Sequence, residues 1–289
     1  MFQSLKLGKC FGIDLYVHAT FWLLPLFVLF GDLMSGGELG GIIFHIMFIF
    51  AVFGCIVLHE VGHALAARAY GIGTRNITLY PIGGVASLER MPEKPAREIA
   101  IALAGPAVNL VIAAALFLGL LAGSTLIPAS NESNPLELLA TNVLMANLIL
   151  CGFNLLPAFP MDGGRVLRAL LAMQMTRLRA TEIAVGVGTV VAGVFLVIGL
   201  LDKRLGLMVL AVAVYLLGQA ELAMVRVREA GRGLRERMEE YFAPPEDEPD
   251  PAPGGPPSPG FSGLAWDATR RVWVEWRNGV AVGAIPSGR

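Results

Sequence analysis

Charge and cysteine are both in short supply in this chain. Asp, Glu, Lys and Arg make up only 16% of its 289 residues, while 55% are hydrophobic and the mean hydropathy is +0.64. So little charge excludes a disordered, highly solvated chain, and the apolar content exceeds what a soluble core would bury. The three cysteines, Cys10, Cys55 and Cys151, lie far apart in or beside apolar stretches with no C-x-x-C spacing, which argues against a disulfide framework. The formal net charge is −1 and the basic residues are spread along the chain rather than gathered into a patch, which argues against nucleic-acid binding. A cleavable secretory leader is not expected, because residues 1–18 mix polar and apolar side chains and the first long apolar run shows no small-residue cleavage site.

What is abundant is long apolar sequence. Six stretches, 17–33, 42–67, 99–121, 138–156, 183–201 and 205–225, are long enough to cross a hydrocarbon core of about 30 Å. The expected fold class is therefore an all-α polytopic membrane protein with about six transmembrane helices. Lys and Arg set its orientation. Placing the N-terminus inside puts Lys6 and Lys9, then Arg68, Arg75, Arg90, Lys94 and Arg97, then Arg165, Arg168, Arg177 and Arg179, and finally the run from Arg226 to Arg237 on the cytoplasmic side. The opposite loops hold only Lys203 and Arg204. Both termini are expected in the cytoplasm of a multi-pass cell-membrane protein, with the basic border touching anionic lipid.

The second stretch carries His59-Glu60-Val61-Gly62-His63. Residues four apart on a helix are separated by about 400° of rotation, so both imidazoles face the same way and can reach one metal ion. Glu60, beside the first ligand but not itself bonded to the ion, stands where a general base for water activated by zinc must stand. Ionisable groups in a lipid-buried helix are costly and are expected to face a partner or a cavity. The pattern takes two of only four histidines in the chain. The other two, His18 and His45, fall near the ends of their stretches, where capping or snorkelling suits them better than ligation.

The fourth stretch is interrupted by Asn154-Leu155-Leu156-Pro157-Ala158-Phe159-Pro160-Met161-Asp162-Gly163-Gly164, after which an apolar, Arg-punctuated helix resumes. Proline cannot donate its backbone amide, and broken backbone at membrane depth needs protein or a watery cavity to satisfy it. Asp162 could simply cap the new helix. The topology, however, carries it to the depth of His59 and His63, and two histidines plus one carboxylate leave a fourth zinc position open, the pattern of a catalytic site. Residues 77–88 alternate β-branched and aromatic residues around Pro81 and Gly83-Gly84. They read as a short strand pair or re-entrant hairpin after the second helix, or else as an amphipathic connector. An exposed strand edge there could take up an extended peptide. In Ala104-Gly105-Pro106-Ala107-Val108-Asn109 the small residues predict close helix packing, and Asn109 needs a polar partner.

On these residues the chain resembles the site-2 protease family of intramembrane zinc metalloproteases. His59-Glu60-x-x-His63 on the second helix, the following Gly83-Gly84, and Asn154-x-x-Pro157-x-x-Pro160-x-Asp162-Gly163 on the fourth match in order and position over roughly residues 7–228. The resemblance implies one Zn2+ per chain on His59, His63 and Asp162, with Glu60 as the base and Asn154 near the reacting peptide. It also implies a metalloendopeptidase cutting in or beside the transmembrane helix of a single-pass membrane protein, at a site towards the cytoplasmic face. Two other readings place similar residues in a membrane: a zinc transporter, which would need more ligands along a through-path, and a catalytically silent scaffold.

Unlike many relatives, the sequence leaves no room for a PDZ domain between the core helices or for paired CBS domains in its tail, so regulation by either is not expected. The expected division is a membrane-embedded core over 1–228, a charged cytoplasmic helix over 229–243, a Pro-rich linker over 244–260 and a tail over 261–289. In that tail, alternation on both sides of Asn278-Gly279 predicts a small β hairpin.

Overall fold

The computed structural model describes residues 4–81, 83–90, 92, 94–126, 134–241 and 258–286. The chain divides into two compact units, Met1–Val227 and Arg228–Arg289. The first begins with β1 (Ser4–Cys10) and β2 (Ile13–His18), a 3-10 turn (Ala19–Trp22), and helices α1 (Leu23–Met34) and α2 (Leu39–Ala69). Strands β3 (Thr74–Tyr80) and β4 (Gly83–Leu88) follow, then α3 (Pro95–Leu126), α4 (Pro135–Asn154), the short α5 (Asp162–Leu171), α6 (Arg177–Leu201) and α7 (Leu205–Tyr241), which continues into the second unit.

Among the described residues, five helices are long and apolar enough to cross a membrane: α2, α3, α4, α6 and α7. The first of the six expected stretches differs. Val17 belongs to β2, and what remains is the four-residue 3-10 turn and the twelve-residue α1, together about 26 Å long. His18 makes the boundary: its imidazole caps the turn, accepting from the Thr20 amide at 3.3 Å, so capping is the role this histidine takes. Strand, turn and α1 nonetheless run antiparallel along the whole of α2. Ile13 packs with Val61 and Ala64, the Phe21 ring lies 4.5 Å from that of Phe53, and Asp32 bonds His45 Nδ1 at 2.8 Å. The first apolar stretch is thus partly extended chain, and its helical part, residues 19–34, is shorter than the five long helices.

The four strands form one sheet in the order β1-β2-β3-β4, with β1/β2 and β3/β4 antiparallel and β2/β3 parallel. The strand pair expected over 77–88 is present, and the N-terminal hairpin that completes the sheet was not expected from the sequence. Ile13 and Val17 alternate inward on β2, as do Ile77 and Leu79 on β3, and these faces pack on α2 in two clusters. That packing presses the sheet against the helix turn bearing His59 and His63. Among the described residues β4 is an edge strand, with one side free of strand partners beside α2.

Helix α3 packs on α2, α4 and α5. Its crossing with α2 is tight at Gly62, where a Cβ would lie 2.8 Å from Val108 Cγ2 and 2.9 Å from the Ala104 carbonyl oxygen, so only glycine permits this approach. The break between α4 and α5 falls at the Pro157–Pro160 segment, whose Phe159–Pro160 bond is cis. A Cβ on Gly164 would sit 2.5 Å from the Ala158 carbonyl carbon and the Phe159 nitrogen, and one on Gly163 would strike the carbonyls of Leu155 and Leu156. The Gly-Gly pair therefore lets α5 fold back tightly onto the end of α4.

The second unit holds a three-stranded antiparallel sheet, β5 (Gly263–Asp267), β6 (Val272–Arg277) and β7 (Val280–Pro286). Asn278 and Gly279 have φ of 49° and 80° and join β6 to β7, the two-residue turn with positive φ that Asn-Gly favours. β5 adds a strand to the expected hairpin, and Trp266 and Trp273 meet edge to face across it with centroids 5.6 Å apart. Of the expected linker 244–260, residues 244–257 lie outside the described residues.

Candidate metal centre

Helix periodicity alone stacks His59 and His63, and their rings meet edge to face with centroids 4.7 Å apart. The α4–α5 turn brings in Asp162 from a second crossing. His59 Nε2 and His63 Nε2 lie 3.0 Å apart, and Asp162 Oδ2 is 3.1 Å from the first and 3.0 Å from the second. All three residues are buried, at 4–7% exposure. Among the described residues they form the one cluster of His, Cys, Asp or Glu able to share a metal ion.

The donor set fits a small divalent cation. Bonds of about 2.0–2.1 Å to tetrahedral zinc would space neighbouring donors by about 3.3 Å, close to the observed triangle. His63 Nδ1 donates to the Ile101 carbonyl at 2.7 Å, which fixes the proton on that nitrogen and leaves Nε2 with its lone pair turned inward. Neutral imidazole nitrogens and a carboxylate oxygen so close together repel one another unless a positive charge is shared among them. On α3, Pro106 cannot donate to the Ala102 carbonyl, and this gap in the helix ladder lies one residue from the carbonyl that His63 uses.

Asp162 is the first residue of α5, and Met161 occupies the cap position with no side-chain cap bond. The carboxylate faces the imidazoles instead of capping its own helix. Its other oxygen lies 3.7 Å from Arg165 Nη1, and the first turn of a helix favours its negative charge. Glu60 sits where α2 meets β4, with Oε2 accepting from the Ala86 amide at 3.2 Å. A Cβ on Gly84 would lie 2.7 Å from Glu60 Cγ, so the glycine lets the strand edge close over this side chain. The side-chain nitrogen of Asn154 donates to the Leu150 carbonyl at 3.0 Å, one turn back on its own helix. His45 pairs with Asp32 far from the cluster.

Two features escaped sequence reasoning. One is what Gly105 packs against: the close approach expected of its motif is to the metal cluster, where its Cα faces both imidazoles so closely that a Cβ would collide with His63 Nε2 and lie 2.6 Å from His59 Nε2. The other is a buried ion network of Glu98, Arg168, Arg177 and Glu221. Arg168, counted among the basic residues that set orientation, is only 1% exposed. Its visible trace was a charge inside apolar sequence, which must find a partner.

Comparison with known proteins agrees with this architecture. The family model of peptidase family M50 matches residues 47–142 and 127–198. A zinc metalloprotease of Methanocaldococcus jannaschii is 35% identical over 239 residues, covering 81% of this chain and 65% of the relative. Stage IV sporulation protein FB of Bacillus subtilis is 26% identical over 164 residues, 56% of this chain and 49% of that protein. The chain thus spans about two thirds of the first relative's length and half of the second's. The solved structure of a site-2 protease from Methanocaldococcus jannaschii superimposes with a TM-score of 0.57 at 35% identity, over 76% of this chain and 95% of that one. The first of these relatives is named as a zinc metalloprotease, and the apolar helices together with the family likeness make this a multi-pass membrane protein. Since the imidazole pair and the aspartate both fall inside the matched residues, the chain belongs to peptidase family M50 and is built on the site-2 protease fold.

Proposed function

We propose that this chain is an intramembrane zinc metalloendopeptidase that hydrolyses a peptide bond in or beside the transmembrane helix of a single-pass membrane protein. The observation that carries it is the triangle of two imidazole nitrogens and one carboxylate oxygen, with the Glu60 carboxylate on the next residue of the same helix. His59, His63 and Asp162 are the proposed ligands of one ion per chain, which would supply Lewis acidity towards a substrate carbonyl and lower the pKa of water.

Glu60 takes a proton from the attacking water as the new carbon–oxygen bond forms, then returns it to the amide nitrogen as the carbon–nitrogen bond breaks. Its Oε2 is held by the Ala86 amide, leaving the other oxygen for that proton. An α-helix conceals its carbonyl carbons, so the substrate must be extended at the cut, and the free edge of β4 beside Glu60 suits an extended segment. Asn154 is proposed to meet the bound peptide through its side-chain oxygen and second N–H, which the bond to the Leu150 carbonyl does not use. The charge distribution and an even number of crossings, counting the strand-and-helix first one, favour both termini and the site on the cytoplasmic side. The membrane core over 1–228 carries the reaction, and the segments beyond it are appendages. A transporter would need further ligands along a path, and the described residues hold one cluster.

The test is Asp162→Asn in the purified full chain. Zinc affinity should fall by more than the roughly 10- to 100-fold typical of losing an outer partner of a ligand, and cleavage of a reconstituted membrane substrate should disappear. Unaltered zinc content would remove Asp162 from the ligand set, and zinc flux into sealed vesicles without cleavage would favour transport.

A further inference from the structure

Beyond the proposed ligands, α5 carries a charge that the reaction does not use. Arg168 and Glu98 are 1% and 2% exposed. Arg168 Nε donates to Glu98 Oε1 at 2.8 Å and Nη2 donates to the same oxygen, while Nη1 donates to Glu221 Oε1 at 2.7 Å. The guanidinium also lies 4.8 Å from the centroid of the Phe159 ring in the turn that leads into α5. Glu98 Oε2 accepts from Arg177 Nη2 at 3.2 Å, and Arg177 Nη1 donates to the Pro92 carbonyl at 3.0 Å. One side chain thereby ties α5 to α3, to α7 and to its own entry turn.

Apolar side chains could fill this space without the desolvation cost of buried charges. What they could not supply is direction, since packing of smooth apolar surfaces tolerates small rotations and slides. Asp162 lies at the start of the same ten-residue helix. A side-chain tip about 5 Å from a helix axis moves by about 2 Å when the helix turns by about 20°, a large fraction of the 3.0–3.1 Å spacing in the triangle. Helix α3 supplies the common reference. Within one turn it offers Glu98 to Arg168 and the Ile101 carbonyl to His63 Nδ1, holding the aspartate helix and the histidine helix to the same rigid element.

We propose that Arg168 is a positioning residue: its fork to Glu98 and Glu221 sets the rotation and height of α5 so that the Asp162 carboxylate meets the two imidazoles. The proposal rests on the metal-centre reading above, and its test keeps the two apart. The full chain, purified in detergent, is titrated with Co2+, whose visible absorption reports ligand number and geometry. Equal Co2+ affinity and identical spectra for wild type and Asp162→Asn would bring down the metal reading itself, and this proposal with it.

Given a difference between those two proteins, the double variant E98L/R168M removes the directional tie but keeps the volume. It is expected to stay helical with a cooperative melt, to bind Co2+ about tenfold more weakly or worse, and to show shifted absorption bands. Arg168→Lys keeps a charge but loses the fork, and it should recover part of that loss. A folded double variant whose affinity is within about twofold of wild type, with a superimposable spectrum, overturns the positioning role. If the double variant does not fold, the same criterion applied to Arg168→Lys decides.

Discussion

Glu60→Gln is expected to keep its metal and lose its reaction. Gln matches Glu in shape, and its side-chain oxygen can still accept the Ala86 amide that holds Glu60 Oε2 at 3.2 Å. The triangle of His59, His63 and Asp162 does not include Glu60, so metal content should match wild type. What disappears is the lone pair that accepts a proton from water, because an amide nitrogen has none to offer at neutral pH. Loss of a positioned general base costs on the order of 10²–10⁴ in rate. The measurement pairs zinc stoichiometry with turnover of a reconstituted membrane substrate. A Glu60→Gln protein that holds zinc and cuts at the wild-type rate would refute the assigned base. The variant also serves as a trap, because a substrate that enters and is not cut co-purifies and can be identified.

The position of Glu60 beside the imidazole pair was legible in the sequence because the argument for it is local. A spacing of four on one helix places two imidazoles together whatever the rest of the chain does, and the residue after the first histidine comes with them. Asp162 required one more step, the inference that two stretches running the same way bring their inner ends to one depth. Of two roles open to it, the coordinates show the carboxylate turned to the imidazoles and Met161 at the cap. Asn154 had no such local argument. Its place beside a peptide came from family likeness, and its amide here is bonded to its own helix.

Non-local pairing was the part that sequence could not reveal. β2 pairs in parallel with β3, joining Asp14–Val17 to Asn76–Leu79 across two helices, and no pattern within either strand names its partner. The first hairpin did leave local traces: alternating Ile13, Leu15 and Val17, and a turn at Phe11-Gly12 with φ of 49° and 85°. They were masked because Val17 also opens a long apolar run, so periodicity of two gave way to length. Glu98 and Arg168 were visible as charges in apolar company. Their pairing, 70 residues apart, is a property of the packed helices.

The second large effect concerns a residue with no side chain. Gly105→Ala should empty the metal centre while leaving most of the fold in place. The added methyl would collide with His63 Nε2, lie 2.5 Å from His63 Cε1 and sit 2.6 Å from His59 Nε2, so it meets two of the three atoms proposed to hold the ion. Neither ring can yield cheaply. His63 is anchored through Nδ1 to the Ile101 carbonyl on the same helix as the new methyl, and His59 stands directly against Asp162 and His63. If α3 backs away instead, the His63 anchor and the close crossing at Gly62 are stretched together. Overpacking of this kind costs about 1–3 kcal/mol of stability, a tolerable loss for the fold. Displacing both imidazoles should weaken zinc binding well beyond the roughly 10- to 100-fold of a lost outer partner. Gly119→Ala on the same helix is the control, since a Cβ there meets nothing within 4 Å, and its zinc content and melting temperature should match wild type. A Gly105→Ala protein with full zinc occupancy would mean that the imidazoles turn their nitrogens away from α3 when the ion is bound, and the triangle would then not be the binding geometry.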